Sequence, residues 1–268
     1  MKTKLLFLTL SCLLLLAATG FTQQPEGERK AGDRMVLTIK DVEYAFRWCP
    51  PGTFMMGSPE DEPGRRNNER QHRVTLTRGF WMLETPVTQA MWESVMGNNP
   101  SVFRGLNLPV ETVTWNDAQS FVRRLNEMRV APRGFRFSLP TEAQWEYACR
   151  AGTTTAFHFG NTLTGEQANF HDTGMRQTSE VGRFPANAWG LHDMHGNVVE
   201  WCLSRFGNYP RGAVTDPAGS VIGLERVARG GSWNSLAEHC RSASRYKHVP
   251  SIKGSHLVGF RLALVRAE

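Results

Sequence analysis

The stretch RGGSWNSLAEHCR, residues 229–241, is the most informative part of this chain. Its two consecutive glycines let the backbone turn tightly or pass close to a neighbouring segment. Ser232, Trp233 and Cys240 follow on the same run. The stretch therefore predicts a short irregular segment near the C-terminus that carries a hydroxyl, an aromatic ring and a thiol.

The start of the chain predicts export. Two lysines precede an apolar run from Leu5 to Ala18, which is long enough for the core of a signal peptide and short for a membrane span. Gly20 suits cleavage, so residues 1–20 are interpreted as a signal peptide. Cys12 leaves lipid anchoring as the alternative, although the apolar run continues past it. We therefore expect an exported protein, which is periplasmic, secreted or at the cell surface.

The rest of the chain predicts one domain behind a linker. Residues 21–34 are polar and charged with no apolar period, which indicates a tether. Residues 35–268 are long enough for a loop-rich domain with one core. No further stretch is apolar enough to span a membrane, so we expect no transmembrane segment in the mature protein.

The charge pattern argues against one class of partner. The net charge is +6, and the basic residues are scattered rather than grouped in long runs. This pattern does not indicate binding to nucleic acid. A smaller basic zone, Arg241, Arg245, Lys247 and His248, is either a solvated loop or a rim that attracts anionic ligands.

Caps and apolar spacing predict three helices. They run from Thr88 to Met96, from Thr114 to Met128, and from a cap at Thr141 to a stop near Gly152. The strand predictions rest on apolar, β-branched and aromatic residues. They are Val36 to Phe46, Phe54 to Gly57, Val74 to Leu83, Arg226 to Arg229 and Gly259 to Val265.

Four cysteines remain after the predicted cleavage, namely Cys49, Cys149, Cys202 and Cys240. An oxidising compartment would allow them to form disulfides, and four cysteines permit three fully paired connectivities. No CxxC pair is present, which removes the simplest zinc and thioredoxin-like interpretations.

Several motifs occur together in a fixed order. They are PGTFMMGS (51–58), ETPVT (84–88), PVETVTW (109–115), LPTEAQWEY (139–147), GLHDMHGNVVEW (190–201), RGGSW (229–233) and GFR (259–261). In this order they resemble the formylglycine-generating enzyme (sulfatase-modifying factor) family from about Met35 onward. The resemblance implies an α+β fold, a loop-rich variant of the C-type-lectin fold with little regular secondary structure.

The resemblance also implies a catalytic site. Members of the family oxidise a substrate cysteine to formylglycine with copper held by two cysteines, whose positions here are Ser235 and Cys240. Ser232 matches a serine at the oxygen and substrate pocket. Because Cu⁺ prefers two thiolates, a serine at one position implies an incomplete copper site. Cys240 is then a remaining copper ligand, a disulfide partner, a reactive thiol beside Arg241 or a small buried residue.

The same resemblance implies structural calcium. Asp193 and Glu200 would supply carboxylates, and Gly196 and Val198 would supply backbone oxygens. A weaker second calcium site would use Asn169 and the carbonyl of Phe170. His192 and His195 form an HxxH pair, for which the alternative is a transition-metal site.

Other residues of the motifs have structural interpretations. Trp145, Trp201 and Trp233 are expected to anchor the core, and Arg261 is expected to pair internally. Cys149 is expected to be a small buried residue on a helix face.

Two functions follow from these observations. One is an oxidoreductase that acts on a protein cysteine, for example in sulfatase maturation. The other is a non-catalytic C-type-lectin-like protein that binds a ligand or partner through the loop after Trp233, which extends from Asn234 to His256.

Overall fold

The computed structural model describes residues 28–251 and 255–267. The signal peptide predicted for residues 1–20 lies outside the described residues. Within them, no helix combines the length and apolar character that crossing a membrane requires.

Residues 28–34, at the end of the predicted tether, pack against the domain. The guanidinium of Arg29 stacks on the ring of Trp48 at 4.8 Å. Gly32 N donates to Trp48 O at 2.9 Å, and Trp48 N donates to Asp33 O at 2.9 Å. A polar composition did not reveal these contacts because they use the backbone and the face of an aromatic ring.

Twelve strands and three helices follow one another in the described part of the chain. In order they are β1 (Arg34–Ile39), β2 (Val42–Cys49), β3 (Gly52–Met56), β4 (His72–Leu76), β5 (Phe80–Leu83), α1 (Gln89–Met96), α2 (Trp115–Glu127), β6 (Phe135–Ser138), α3 (Glu142–Arg150), β7 (Val199–Arg205), β8 (Val214–Thr215), β9 (Arg226–Arg229), β10 (Arg245–His248), β11 (Val258–Phe260) and β12 (Ala263–Arg266). Two single 3₁₀ turns, His171–Thr173 and Ala237–Cys240, lie in the long loops.

The strands form three small sheets. The five-stranded sheet has the order β1-β2-β5-β12-β6, the four-stranded sheet β10-β9-β7-β11, and the three-stranded sheet β3-β4-β8. Helices α1 and α2 pack against each other beside the five-stranded sheet, and α3 contacts β3, β7 and β9. The elements confirm an α+β architecture in which long loops connect short strands.

The three predicted helices are confirmed, together with their caps. Thr88 caps α1, and Gly97 ends it in the left-handed region. Thr114 and Thr141 each form a complete capping box, with Asp117 and Gln144 as the reciprocal partners. These boxes satisfy backbone N–H groups that have no partner inside the helix. Each box involves only a few neighbouring residues, so the sequence was sufficient to predict it.

Three of the predicted strands are each broken into two. Val36 to Phe46 contains a hairpin, because Lys40 and Asp41 have φ values of 48° and 63° and reverse the chain. Val74 to Leu83 and Gly259 to Val265 each pass from one sheet to another. An apolar stretch of sequence does not reveal where the chain passes from one sheet to another, because the residues before and after that point are both buried.

Strand β7 was not predicted, although it is central to the four-stranded sheet. It pairs with β11 in parallel and with β9 antiparallel. Its first four residues, Val199 to Cys202, are all buried. A strand covered on both faces does not alternate between apolar and polar residues, so the period-two signal is missing.

Candidate functional site

The double glycine lets the chain run directly over buried side chains. Gly230 and Gly231 have φ values of 97° and 73°. A Cβ on Gly231 would lie 2.5 Å from the sulfur of Cys240, and one on Gly230 would lie 3.0 Å from the ring of Trp145. Both the positive φ and the close approach require glycine at these positions.

The serines after the turn form a local hydrogen-bond network. Ser232 N donates to Ser235 Oγ at 2.9 Å, and the two hydroxyl oxygens lie 3.2 Å apart. Asn234 N donates to Ser232 Oγ at 3.3 Å. The structure therefore places Ser232 and Ser235 side by side, and both hydroxyls serve to fix this turn.

Cys240 lies beneath this turn and is fully buried. Its neighbours in the core are apolar, namely Ala156, Phe157, Ala168 and Phe170. Burial raises the pKa of its thiol well above the ordinary value, and no nearby charge opposes this effect. All four cysteines of the described residues are free and buried.

These residues do not fit a copper site. A single thiol, Cys240, faces this turn, and Ser235 supplies a hydroxyl that already accepts a backbone hydrogen bond. Across residues 28–251 and 255–267, no group of three or more His, Cys, Asp or Glu side chains could hold a metal ion. Cu⁺ binds most tightly to two thiolates, and this arrangement provides one protonated thiol.

The basic zone after Cys240 was interpreted as a solvated loop or as a rim that attracts anions. Neither interpretation holds for its two arginines. Arg241 is buried and binds Glu69 at 2.9 and 3.0 Å, and it also pairs with Glu62. Arg245 is buried and binds both oxygens of Glu142, at 2.6 and 2.9 Å. The positive charges of both arginines are therefore balanced by carboxylates. The sequence pattern did not show this, because the carboxylates come from segments far away in sequence.

The HxxH pair does not assemble a transition-metal site. His195 Nε2 accepts a hydrogen bond from His158 N at 3.1 Å, so Nδ1 carries the proton and donates to Cys240 O at 2.7 Å. Burial lowers the pKa of His195 to about 3. His192 Nδ1 lies 2.8 Å from Phe184 O. With both nitrogens of His195 engaged, this histidine acts as a structural link to Cys240.

Cys149 lies on the other side of the same histidine. Its sulfur lies 3.8 Å from His195 Nε2 and 3.6 Å from the hydroxyl of Ser242. The residue is fully buried, and burial raises its pKa to about 12. The prediction of a small buried cysteine is confirmed.

The predicted calcium loop begins with a buried carboxylate that forms no ion pair among the described residues, although Arg261 and His192 partly offset the effect of burial on its pKa. Asp193 is buried with φ 56°, and its Oδ2 accepts one hydrogen bond, from Gly182 N at 2.7 Å. Burial raises the pKa of Asp193 to about 6. Close by in the chain, Asn197 exchanges hydrogen bonds with the backbone of Ser179, whose own hydroxyl is buried without a partner. A buried carboxylate and an unpaired oxygen are hard donors of the kind that calcium prefers.

The other predicted carboxylate of the loop has a different partner. Glu200 binds Arg261 through both oxygens at 2.6 Å, and its Oε2 also accepts from Trp145 Nε1 at 2.7 Å. The expected internal pairing of Arg261 is thus confirmed. The negative charge of Glu200 is balanced by Arg261, so the calcium prediction depends mainly on Asp193 together with the carbonyls of Gly196 and Val198.

The two residues of the predicted second calcium site, Asn169 and Phe170, both contact the hydroxyl of Thr173. Thr173 Oγ1 lies 3.1 Å from Asn169 Oδ1 and 2.7 Å from Phe170 O. The neighbouring carboxylate, Asp172, points outward and lies 2.9 Å from His171 Nδ1. The backbone oxygen of Asn169 accepts from Asn197 N at 2.8 Å, which connects this segment to the loop of the first site.

Trp145 and Trp201 are buried as expected, whereas Trp233 is half-buried and lies outside the core that it was expected to anchor. It stacks on His256 with ring centroids 5.5 Å apart and meets Phe103 edge to face at 5.8 Å. We call these three side chains the aromatic face. Sequence reasoning missed Phe103 and did not single out His256, because the face forms from loops far apart in sequence.

The order of the motifs agrees with a comparison against known families. Residues 41–266 match the family model described as the sulfatase-modifying factor enzyme 1-like domain. The chain belongs to the sulfatase-modifying factor family. This confirms the resemblance that the motifs indicated.

Curated relatives include an enzyme and a protein named as inactive. The formylglycine-generating enzyme of Mus musculus is 30% identical over 210 residues, which cover 72% of this chain and 53% of that protein. The mouse inactive C-alpha-formylglycine-generating enzyme 2 is 32% identical over 195 residues, which cover 66% of this chain and 56% of that protein. The chain therefore spans about half the length of these relatives.

A solved structure supports the fold over nearly the whole domain. Treponema denticola variable protein 1 superposes with a TM-score of 0.78 at 28% identity, covering 86% of this chain and 98% of that chain. The predicted fold class, the loop-rich variant of the C-type-lectin fold used by this family, is confirmed.

Proposed function

We propose that this chain is an exported, non-catalytic member of the sulfatase-modifying factor family that binds a protein or peptide through the loop after Trp233. The observation that carries the proposal is the pair Ser235 and Cys240. Ser235 holds the turn through the backbone N–H of Ser232, and Cys240 is a buried thiol.

The chemistry of Cys240 supports this proposal over cysteine oxidation. A thiol must lose its proton before it binds a metal or attacks as a nucleophile. The adjacent Arg241 could favour the thiolate, but its guanidinium is held by Glu62 and Glu69. Burial without a compensating positive charge keeps Cys240 protonated, as its raised pKa indicates.

The aromatic face supports a binding role. Trp233 and Phe103 are half-buried and His256 is exposed, so their rings are anchored on one side and accessible on the other. Large aromatic side chains are common at protein interfaces, because they combine apolar area with directional contacts.

One experiment separates binding from oxidation. The purified protein is incubated with copper, oxygen and a sulfatase-type peptide of the pattern Cys-x-Pro-x-Arg, and the peptide mass is measured. We expect no change for the wild-type protein. The Ser235→Cys variant supplies the second thiol and is the matched test of whether the site is otherwise intact. Conversion of the peptide by the wild-type protein, abolished in Cys240→Ser, would contradict the proposal and establish the oxidase.

A second experiment tests the binding surface. A displayed peptide library is selected in parallel on the wild-type protein and on Trp233→Ala, with Val130→Ala as a control at a distant exposed apolar residue. We expect peptides enriched on the wild-type protein to be retained by Val130→Ala and lost by Trp233→Ala. Equal enrichment on all three proteins would exclude the aromatic face as the ligand site.

We also propose that one calcium ion stabilises the loop that begins at Asp193. When bound, the ion would supply positive charge to a buried carboxylate and order the loop carbonyls around it. Asp193, Gly196 and Val198 are the residues that would hold it. Calcium in this role is structural, and the aromatic face remains the site of recognition.

A further inference from the structure

The most exposed apolar side chains lie together on one turn. Val221, Ile222 and Leu224 are 88%, 76% and 82% exposed, more than any other large apolar side chain in the described residues. We call Ser220–Leu224 the tip. Isolated surface apolar residues need no explanation, but three within four residues, at such exposure, mark a contact surface.

Hydrogen bonds to backbone atoms of the tip hold it in place. Ser220 N donates to Arg205 O at 3.2 Å, and the Ser220 hydroxyl donates to Ile222 O at 2.9 Å. The guanidinium of Arg205 donates to Val221 O at 3.2 Å. These bonds fasten the turn to the end of β7, so the apolar side chains are presented to solvent by a defined structure.

Positive charge surrounds the base of the tip. Arg205 contacts the tip as described, while Arg226 stacks on Trp115 at 3.9 Å and donates to Leu203 O. The Nε of Arg226 is buried without a hydrogen-bond partner. Neither guanidinium meets a carboxylate in the part of the chain that the structure describes. The nearby acid Glu225 is paired with Lys247 at 2.9 Å.

We propose that the tip binds the surface of an anionic lipid bilayer, with Val221, Ile222 and Leu224 inserted below the headgroups and the exposed Arg205 facing the phosphates, while the half-buried Arg226 adds positive charge beside it. Aliphatic side chains lower their free energy by leaving water for the acyl boundary, and basic groups are attracted by anionic lipids. The net charge is +6, and it remains positive at +4 without Lys2 and Lys4 of the predicted signal peptide (6 − 2 = 4), which acts in the same direction.

The form of the tip favours a membrane over a protein partner. A stable protein interface buries about 800 Å² on each side and is rich in aromatic residues at its centre. The tip offers three exposed aliphatic side chains and no aromatic ring. A bilayer accepts such a small apolar surface because it needs no complementary shape. The surface is independent of the aromatic face, so the two proposals fail separately.

Vesicle co-sedimentation tests the inference. The full chain is mixed with vesicles of phosphatidylglycerol and phosphatidylcholine, or of phosphatidylcholine alone. We expect binding to the anionic vesicles that weakens with salt. The triple variant Val221→Ser, Ile222→Ser, Leu224→Ser should bind about tenfold more weakly. Wild-type and variant chains share the same first 27 residues, so the difference between them reports the tip.

A matched control and a direct probe sharpen the test. The triple variant Met55→Ser, Leu106→Ser, Val130→Ser removes three other exposed apolar side chains and should bind as the wild-type protein does. A polarity-sensitive dye on Ile222→Cys, introduced together with Cys12→Ser, should shift to the blue with anionic vesicles, since the four other cysteines are buried.

Three results would overturn the inference. They are equal vesicle binding by the wild-type protein and the tip variant, an unshifted dye, and a dimer in sedimentation velocity that the tip variant abolishes, which would make a second copy of the chain the occupant. Thermal melting of each variant shows whether it is folded, because side chains with this exposure contribute little to the core.

Discussion

Arg261 and Glu200 form a fully buried, two-point ion pair, with Nε to Oε2 and Nη2 to Oε1 both at 2.6 Å. The same guanidinium donates to His192 O at 2.9 Å. One arginine from the GFR motif thus holds together the two ends of the HDMHGNVVE segment. Two motifs of the family that are far apart in sequence are therefore one structural unit.

Removal of the negative charge from this pair should be strongly destabilising. We expect Glu200→Gln to lower the free energy of unfolding by about 3–5 kcal/mol, because it leaves Arg261 buried without a counter-charge. Urea denaturation in the presence of EDTA measures this without a contribution from calcium. Glu225→Gln, which breaks the exposed pair with Lys247, is the control and should cost less than about 1 kcal/mol. Similar costs for the two variants would show that burial of the Glu200 pair is energetically unimportant.

The glycine that passes over Cys240 should tolerate no side chain. Gly231→Ala combines a positive φ with a contact 2.5 Å from the cysteine sulfur. Gly174→Ala has a similar φ, 67°, but meets nothing within 4 Å. We expect a left-handed penalty of about 1–2 kcal/mol for both variants and an additional cost of about 1–3 kcal/mol for Gly231→Ala alone.

A double variant identifies the source of that additional cost. Cys240→Ala in the Gly231→Ala background removes the sulfur and should recover part of the lost stability, measured by denaturant unfolding. If the two glycine variants are equally destabilised, the close approach of this turn to Cys240 is not what constrains the position.

Calcium should raise the melting temperature through Asp193. An ion that binds only the folded protein adds about 2.7 kcal/mol at a hundredfold excess over its dissociation constant. Asp193→Asn keeps an oxygen for the Gly182 N–H but loses the charge, so we expect the calcium effect to disappear. Asp172→Asn, at an exposed carboxylate, should retain it. Identical melting curves of the wild-type protein in EDTA and in calcium would rule out the calcium proposal.

Stability should fall as the pH drops from about 6.5 to about 4, partly through His158. Burial, with a smaller effect of His192, lowers the pKa of His158 from 6.5 to about 4. The unfolded chain therefore binds more protons than the folded chain in this window, and the free energy of unfolding decreases as pH falls. The contribution of this residue is about 2–3 kcal/mol, complete near pH 4.

The variant His158→Phe isolates this contribution. It should flatten the dependence of unfolding free energy on pH between pH 7 and pH 4, relative to the wild-type protein, in a series of urea titrations. The ring of His158 lies 4.9 Å from that of His195, so an aromatic replacement preserves the stacking. Parallel profiles for the two proteins would show that His158 does not titrate differently on folding.

Local features of the sequence were sufficient for the helices and the family. A capping box such as Thr141 with Gln144 is complete within four residues, so its signal does not depend on the rest of the fold. The glycines of RGGSW were likewise informative, because a positive φ is a property of a single residue. The same reasoning failed for strands that change sheet, since both sheets bury the same kind of apolar side chain.

Ion pairs between residues far apart in sequence could not be predicted from local patterns. Arg241 and Arg245 read as an exposed basic zone, yet Glu69 and Glu142 neutralise them inside the protein. The aromatic face is also a product of loops that meet only in the fold.

The sequence by itself determined the family and the helix ends, because each of these is written in a few adjacent residues. Only the tertiary structure decided which charges are paired, that the four cysteines of the described residues are buried and free, and which apolar side chains remain in solvent. Those outcomes depend on the electrostatic and packing environment supplied by segments more than a hundred residues away, as Arg261 shows by binding a carbonyl oxygen of Leu83.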